Sequence, residues 1–360
     1  MPYWEGMRRR PARVLCLCLL LILAAAWPSA RARPRIVVLA TGGTIAGAAA
    51  TDTQASYTSG QIGVDRLIAA VPQAAKIADL AGEQIANIGS QNMSDAIWLT
   101  LARRINSLLA SPDVDGIVIT HGTDTIEETA YFLNLVVKSR KPVVMTAAMR
   151  PATSLSADGP LNFYNAVAVA ASADAAGRGV LIVMDDAIHG AAAVTKTSTT
   201  SVDAFVSPVH GLIGQVAYGQ AHFDRTPHRR HTVNSEFSID GVDRLPRVDI
   251  LYAHADMPGD LIDAAVAAGA KGIVIAGVGN GNMTDAALQA LARATRQGVV
   301  CVRSTRVAAG LVSRNVEVDD DQLGLVASDE VTAPKARVLL KLALLAPRTA
   351  AEVQRIFMTY

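Results

Sequence analysis

Short apolar runs alternate with amphipathic stretches along most of this chain. The apolar runs are rich in β-branched residues, which predicts buried strands, and they lie at residues 35–40, 116–120, 142–147, 180–184, 249–253, 272–276 and 299–303. Between them the apolar residues recur at helical spacing, which predicts helices at residues 95–109, 125–137, 160–172, 260–268, 284–296 and 335–346. Alternating strands and helices of this kind predict an α/β fold with parallel sheets covered on both faces.

The start of the second predicted helix carries its own signal. Thr125 and Glu128 stand three residues apart there, which is the spacing of a capping box. A polar stretch from His222 to Pro246 interrupts the alternation. We therefore predict an N-terminal domain over residues 33–225, a linker over residues 226–246 and a C-terminal domain over residues 247–360.

The N-terminus reads as a targeting segment. Four arginines among residues 8–13 precede an apolar stretch, residues 14–26, that is too short to span a bilayer comfortably. Ala30-Arg31-Ala32 then fits the small-x-small cleavage pattern. We expect residues 1–32 to be a signal peptide that directs export, with an uncleaved anchor as the alternative.

Removing that segment changes both charge and cysteine content. The full chain has 33 basic and 32 acidic side chains; losing five arginines and one glutamate leaves 28 and 31, a net charge of −3. No basic patch indicates nucleic acid, and no later segment indicates a membrane. Cys16 and Cys18 leave with the segment, so Cys301 remains alone and no intrachain disulfide is expected.

Two of the predicted strands end in similar hydroxyl-bearing loops. The first runs from Thr41 through a Gly-Gly pair to Thr44, and the second carries Thr123 and Asp124 after Gly122. In open α/β sheets ligands bind beyond the carboxyl ends of the strands, so a paired catalytic site is plausible chemistry here. A threonine needs a neighbouring group to take its proton before it attacks. The two loops could instead be Gly-rich structural turns, with Thr123 and Asp124 serving as helix-start residues that have no catalytic role. A phosphate-binding loop is a further alternative, although the lysine of the P-loop motif is missing.

Other side chains have the chemistry to complete such a site. A lid-like loop carries Tyr57, a hydroxyl-rich run carries Lys196, and turns or acidic runs carry the remaining candidates, Ser90, Gln91, Asn280 and Glu317. Taken singly, each also fits an ordinary turn, a surface lysine or a solvated acidic face. His121 precedes the second loop and is expected to orient it. The seven histidines show no metal-ligand spacing.

Taken together and in order, these segments resemble the bacterial type II (periplasmic) L-asparaginases over essentially all of residues 34–360. The two threonine loops match the family's signatures, and further matching blocks carry the other candidates; they begin at Asn87, Ala148, Ser156, Val194, Gly277 and Glu317. The resemblance implies a larger N-terminal parallel-sheet domain, a smaller C-terminal α/β domain, a periplasmic location, a homotetramer, and no metal or organic cofactor.

The resemblance also implies a role for each residue. Thr44 would be the nucleophile that forms a β-aspartyl ester, with Tyr57 and Glu317 completing its triad. Thr123, Asp124 and Lys196 would form a second triad. The α-carboxylate and α-amino groups would be held by Ser90, Gln91 and Asp124, and a neighbouring subunit would supply Asn280 and Glu317.

Three positions differ from the family pattern, and several functions remain possible. Ala192 and Ala193 stand where many relatives carry Arg-Asp, and Asn92 stands where an Asp often follows the Ser-Gln pair. The leading expectation is hydrolysis of L-asparagine, with weaker action on L-glutamine. The alternatives are a glutaminase-asparaginase with comparable glutamine activity, a catalytically silent amino-acid binding protein, and a flavodoxin-like nucleotide-binding module. Gln91 favours asparagine, because glutamine-active relatives often carry Glu there.

Overall fold

A strand at the chain's first apolar run organises the larger sheet. Both faces of Arg35–Gly42 are buried: Ile36 and Val38 enter one apolar cluster, while Val37 and Leu39 enter another, as strand alternation requires. The structure is a computed structural model that describes residues 33–49 and 57–360, with residues 48, 49 and 57 described by their backbone alone. The predicted signal peptide, residues 1–32, lies outside the described residues.

Strands and helices alternate as the pattern indicates. The strands are β1 (Arg35–Gly42), β2 (Ala48–Ala49), β3 (Tyr57–Thr58), β4 (Asp79–Ile88), β5 (Gly116–Thr120), β6 (Val143–Thr146), β7 (Val180–Met184), β8 (Ala187–Gly190), β9 (Thr195–Lys196), β10 (Phe205–Val206), β11 (Gly214–Ala217), β12 (Gln220–Phe223), β13 (Val248–Tyr252), β14 (Gly272–Gly277), β15 (Val300–Thr305) and β16 (Leu325–Ala327). The helices are α1 (Val64–Ala69), α2 (Asp95–Ala110), α3 (Ile126–Val136), α4 (Gly159–Ala171), α5 (Asp260–Ala267), α6 (Asp285–Arg296), α7 (Asp320–Leu323), α8 (Ala333–Ala343) and α9 (Ala350–Thr359).

The larger sheet reverses its direction of growth at β1. Its strand order is β12-β11-β8-β7-β6-β5-β1-β4, and the chain leaves β1 for β4 on one side before it returns to β5 on the other. The five strands from β4 to β7 are parallel, while β8, β11 and β12 add antiparallel pairs at the far edge. Ligands of open α/β sheets bind at such a switch point, and both threonine loops leave from it.

A smaller parallel sheet, β13-β14-β15-β16, forms the C-terminal part. Helices α2 and α3 cover one face of the larger sheet, and α8 packs between α3 and the smaller sheet. One buried apolar cluster therefore runs from Leu39 in β1 through Phe132 in α3 and Leu339 in α8 to Val274 in β14. Residues 34–360 form one compact unit because this core is shared by both sheets.

The predicted strands and helices are confirmed to within a few residues, and the structure adds elements that the pattern did not reveal. The α/β fold with a larger N-terminal and a smaller C-terminal sheet is also confirmed. The predicted domain boundaries remain a prediction. The stretch between β12 and β13 carries only a short 3-10 turn, Thr232–Asn234, and Phe237 within it packs on Tyr360 with ring centroids 5.0 Å apart. Among the described residues, no helix combines the length and apolarity needed to span a bilayer.

The predicted capping box is wrong. Thr125 occupies the N-cap of α3, but its hydroxyl donates to Ser90 O at 2.8 Å and makes no cap hydrogen bond. Glu128 faces the core side of the helix, where burial raises its pKa to about 7, and Arg337 of α8 lies 3.7 Å from its carboxylate. Both side chains bond to tertiary partners in preference to the local cap.

Candidate active site

Glycines let three loops meet at the carboxyl ends of β1, β4 and β5. Gly43 has φ 81°, and a Cβ placed on it would lie 2.4 Å from Gly122 N, so any larger residue would push the two threonine loops apart. A Cβ on Gly122 would lie 2.6 Å from Ser90 Oγ, in the loop after β4. The close approach therefore fixes these three loops against one another.

Thr44 opens the turn that leaves β1. It begins the short 3-10 segment Thr44–Ala46, only 6 % of it is exposed, and its carbonyl accepts a hydrogen bond from Gly47 N at 2.8 Å. Because Gly43 packs on Gly122, the backbone just before Thr44 lies against the loop that carries Thr123. The backbone of Tyr57 pairs with Ala49 in the β2–β3 ribbon. The structure does not describe the Tyr57 side chain, so its predicted catalytic role stays a prediction.

Lys196 links the two side chains of the second loop. Its Nζ donates to Thr123 Oγ1 at 2.9 Å and to Asp124 Oδ1 at 2.7 Å. The lysine side chain is 17 % exposed, whereas that of Asp124 is 60 % exposed and so offers its second oxygen to a ligand. Lys196 lies on β9, which pairs with β10 opposite Phe205. The sequence-predicted trio Thr123, Asp124 and Lys196 is thus brought together.

Ser90 joins this group from the loop after β4. Its Oγ accepts the backbone N–H of Asp124 at 3.1 Å, which leaves its own hydroxyl hydrogen available for another acceptor. Ser90 is buried, while the neighbouring Gln91 is exposed and folds its amide close to Gly89. The arrangement offers a hydroxyl and an amide beside an ionisable carboxylate, which suits a zwitterionic amino acid.

Comparison with known proteins agrees with this geometry. The family model "Asparaginase, N-terminal" matches residues 35–229, and "Glutaminase/Asparaginase C-terminal domain" matches residues 247–357. The chain belongs to the asparaginase family. A "Probable L-asparaginase periplasmic" of Haemophilus influenzae is 49% identical over 95% of this chain and 98% of its own length.

Two further relatives place the chain within that family. A "Glutaminase-asparaginase" of Pseudomonas fluorescens biotype A is 46% identical over 90% of each chain. The crystal structure of a probable cytoplasmic L-asparaginase from Campylobacter jejuni superposes with a TM-score of 0.89 at 44% identity, and covers 91% of this chain and all of its own.

The C-terminal residues expected at this asparaginase site lie elsewhere in the chain. Glu317 is exposed between β15 and α7, and its carboxylate accepts a hydrogen bond from Asn282 Nδ2. Asn280, the predicted substrate contact, accepts the backbone N–H of Ser313 at 2.8 Å through its Oδ1 and so ties two loops together. Among the described residues, no hydrogen bond or ion pair joins Glu317 or Asn280 to Lys196. Asn282 was missed, although it stands two positions on in the same Gly-Asn-Gly-Asn run.

His121 orients the second threonine loop, as the sequence suggests, but its hydrogen-bond partners could not be inferred from the sequence. Trp98 Nε1 donates to Thr129 Oγ1 at 2.8 Å, and that hydroxyl lies 3.0 Å from His121 Nε2. An indole N–H can only donate a hydrogen bond. The Thr129 hydroxyl therefore accepts from Trp98 and donates its own hydrogen bond to His121 Nε2, so the ring proton of His121 is on Nδ1. Nδ1 then donates to Gly122 O at 2.8 Å. Burial lowers the pKa of His121 to about 4, so the ring stays neutral.

Lys335 anchors the segment that leads to Lys196. This fully buried lysine of α8 donates to Ala192 O at 3.0 Å and to Val194 O. Burial lowers its pKa to about 8. The side chains that many relatives carry at positions 192 and 193 are absent here, and the Lys335 contacts hold the backbone of that segment in place. None of the site side chains belongs to the one cluster of three candidate metal ligands found among the described residues.

Proposed function

We propose that this chain hydrolyses L-asparagine to L-aspartate and ammonia through an acyl-enzyme formed on Thr44. The observation that carries the proposal is the contact of Lys196 Nζ with Thr123 Oγ1 and Asp124 Oδ1, beside the glycine contact that brings the Thr44 loop to the same place. A hydroxyl nucleophile, a proton relay and a carboxylate for the substrate ammonium are together what amide hydrolysis of an amino acid requires.

Each chemical step then has a residue for it. Thr44 Oγ attacks the side-chain amide carbon and loses its proton, and the departing nitrogen takes up one proton and leaves as ammonia. Thr123 and Lys196 are in direct contact, so they can carry a proton to that nitrogen without rearrangement. Water then cleaves the ester, and the proton returns to Thr44. Tyr57 would assist the first step from the other side.

The substrate's charged end lies against the Ser90 loop. The exposed oxygen of Asp124 accepts the α-ammonium, while the Ser90 hydroxyl and the Gln91 amide donate to the α-carboxylate. Because Ser90 also accepts the Asp124 N–H, the groups for the two charges are fixed relative to each other. With its charged end held there, the substrate would present its side-chain amide to Thr44, whose loop packs on the same segment through Gly43 and Gly122.

A homotetramer with sites shared between subunits completes the proposal. Glu317 and Asn282 form an exposed polar pair that makes no contact with Lys196 in the same chain, among the residues described. The pair therefore suits a site on a neighbouring subunit, with Glu317 beside Thr44. Asn280 would position the loop that presents them. We also propose export to the periplasm, which the basic, apolar and small-residue pattern of residues 1–32 supports.

Comparable activity on L-glutamine is the second candidate. The relative named glutaminase-asparaginase is 46% identical to this chain over the 327 aligned residues, so a closely similar sequence carries a name with both activities. A pocket shaped for one chain length rejects an extra methylene by only about 10- to 200-fold. The ratio of kcat/KM for the two amides decides between the candidates, and Gln91 favours a higher value for asparagine.

Substitution of the two threonines tests the mechanism. Thr44→Ala and Thr123→Ala should each lower kcat for asparagine at least about a thousandfold, because groups that act as a unit fail together. Thr100→Ala is the matched control, since this threonine of α2 is exposed and its hydroxyl donates to Ala96 O within the same helix. Either site variant retaining more than about a tenth of the wild-type kcat would contradict the two-triad mechanism.

Mixed oligomers test the shared site. Thr44→Ala and Glu317→Ala chains should each be nearly inactive alone, yet should regain activity when refolded together. Random pairing makes about half of the dimers mixed, and each mixed dimer has one site without either change, so about a quarter of wild-type activity is expected. If mass-tagged mixed oligomers form and remain inactive, the subunits do not share sites.

A further inference from the structure

Two imidazoles and a carboxylate converge at a place that the asparaginase site does not use. His210 lies between β10 and β11, His228 follows β12, and Glu330 follows β16. One candidate ligand atom from each lies within 4.8 Å of the other two. His210 Nε2 is 2.7 Å from Glu330 Oε2, and the two imidazole rings tilt at 58° with centroids 4.8 Å apart.

We propose that His210, His228 and Glu330 bind one Zn²⁺ ion. Two imidazole nitrogens and one carboxylate oxygen form a donor set that zinc uses when its fourth position is left open. With bonds of about 2.0–2.2 Å, tetrahedral ligand atoms stand roughly 3.3–3.6 Å apart. The ligand atoms now lie between 2.7 Å and 4.8 Å apart. Side-chain rotations that move these atoms by about an ångström would therefore bring all three to the ion.

Two carboxylates and two guanidinium groups surround the cluster. Arg229 Nη2 lies 2.9 Å from Glu330 Oε2 and 2.5 Å from Asp329 Oδ2, so two carboxylates surround one guanidinium. Arg225 also donates to the His210 carbonyl, so a second guanidinium lies beside the cluster. If Glu330 rotates toward the metal, Arg229 keeps its ion pair with Asp329, so its guanidinium is not left without a carboxylate partner. Such outer contacts hold metal-binding carboxylates in place.

The surroundings leave room for the fourth ligand. His210 and His228 line a cavity of about 250 Å³ together with Arg178, Arg225 and Arg229, and this volume is large enough for a metal-bound water. The three ligands come from segments attached to both sheets, so one ion would join the end of the larger sheet to the loop before α8. A ligand that binds only the folded chain raises its stability. Zinc should therefore raise the melting temperature.

Titration of chelator-treated protein with Zn²⁺ tests the site. Calorimetry should detect about one equivalent per chain in the wild type, and His228→Gln and Glu330→Gln should each weaken binding by more than the 10- to 100-fold typical of outer-contact losses. His254→Gln is the matched control, because this histidine is exposed and its side-chain hydrogen bond among the described residues goes to the neighbouring Ala255 O. Co²⁺ alone should give the visible bands of a four-coordinate nitrogen and oxygen site in the wild type and in His254→Gln only.

Clear outcomes overturn the proposal. If His228→Gln binds zinc as tightly as the wild type, the cluster is an ion pair of His210 and Glu330 and nothing more. If Mg²⁺ binds as tightly as Zn²⁺, carboxylates rather than imidazoles hold the ion. His228 is exposed, so its variant tests the proposal even if Glu330→Gln does not fold. Asparagine hydrolysis, measured separately with and without chelator, should not change, so a failed zinc site leaves the proposed activity untouched.

Discussion

The hydrogen-bond chain behind the second threonine loop makes a sharp prediction for Thr129→Val. Thr129 is fully buried, accepts from Trp98 Nε1 at 2.8 Å and faces His121 Nε2 at 3.0 Å. Valine keeps the shape of threonine and removes the hydroxyl, so no cavity forms. Two buried polar atoms, one on each neighbour, then lose their partner.

The expected cost follows from those two atoms. A buried polar group left without a partner costs about 1–3 kcal/mol, so Thr129→Val should lower the free energy of unfolding by about 2–6 kcal/mol. Thr129→Ser keeps the hydroxyl and loses one methyl group, which costs about 1 kcal/mol. The imidazole of His121 would also lose its fixed orientation, and with it the hydrogen bond to Gly122 O. Because that carbonyl shares a planar peptide with the Thr123 N–H, kcat should fall between about tenfold and a hundredfold.

Urea unfolding at one fixed protein concentration, together with kcat for asparagine, measures both effects. Thr100→Val is the control, because Thr100 is exposed and its hydroxyl donates to Ala96 O within α2. Loss of that hydroxyl should cost less than about 0.5 kcal/mol. Equal losses of stability in Thr129→Val and Thr129→Ser would refute the reasoning. So would a Thr129→Val enzyme with the wild-type kcat.

Three other predictions address different parts of the molecule. Burial raises the pKa of the Cys301 thiol to about 12, so it should react with a thiol reagent only after unfolding, and reductant should leave the melting temperature unchanged. Burial lowers the pKa of His189 to about 4, whereas in the unfolded chain this histidine takes up a proton near pH 6.5. The contribution of His189 to stability should therefore fall by about 3 kcal/mol as the pH drops from 6.5 to 4, in addition to that of the similarly buried His121. Urea midpoints across that range should therefore change less in His189→Gln than in the wild type. Ammonia release should show a higher kcat/KM for asparagine than for glutamine, and equal values would favour the glutaminase-asparaginase alternative.

Strands that are buried on both faces could be predicted from the sequence, because nearly all of their residues are apolar. β5 and β14 are continuous apolar runs because helices cover both faces of their sheets. The full extent of β4 was not predicted, because Asp79–Ile88 contains polar residues and a glycine and lies at the sheet edge. Its polar side chains have tertiary partners: Glu83 pairs with Arg104 at 2.6 Å, and Gln84 donates to Ala40 O at 3.2 Å. Such partners cannot be read from local spacing.

Contacts across the fold also decided which polar residues meet. Lys196 follows Thr123 by more than seventy positions, and the resemblance to a family, rather than any local pattern, supplied the pairing that the structure shows. Glu317 pairs with Asn282 and not with Asn280, because two asparagines separated by one glycine face different neighbours in a tight turn. The stand-alone motif indicates that an amide is present and leaves open which one faces the carboxylate.

The two sheets together explain why one chain would hold only part of its own site. Thr44, Ser90 and Thr123 all follow the carboxyl ends of strands in the larger sheet, where glycine contacts leave their loops no freedom to move apart. Glu317 and Asn282 likewise follow the carboxyl ends of β15 and β14 in the smaller sheet. The shared apolar core fixes the two sheets within a chain, and in that arrangement Glu317 makes no described contact with Lys196. In the proposed mechanism a second chain would bring Glu317 and Asn282 to the Thr44 edge, and the mixed-oligomer experiment tests that arrangement.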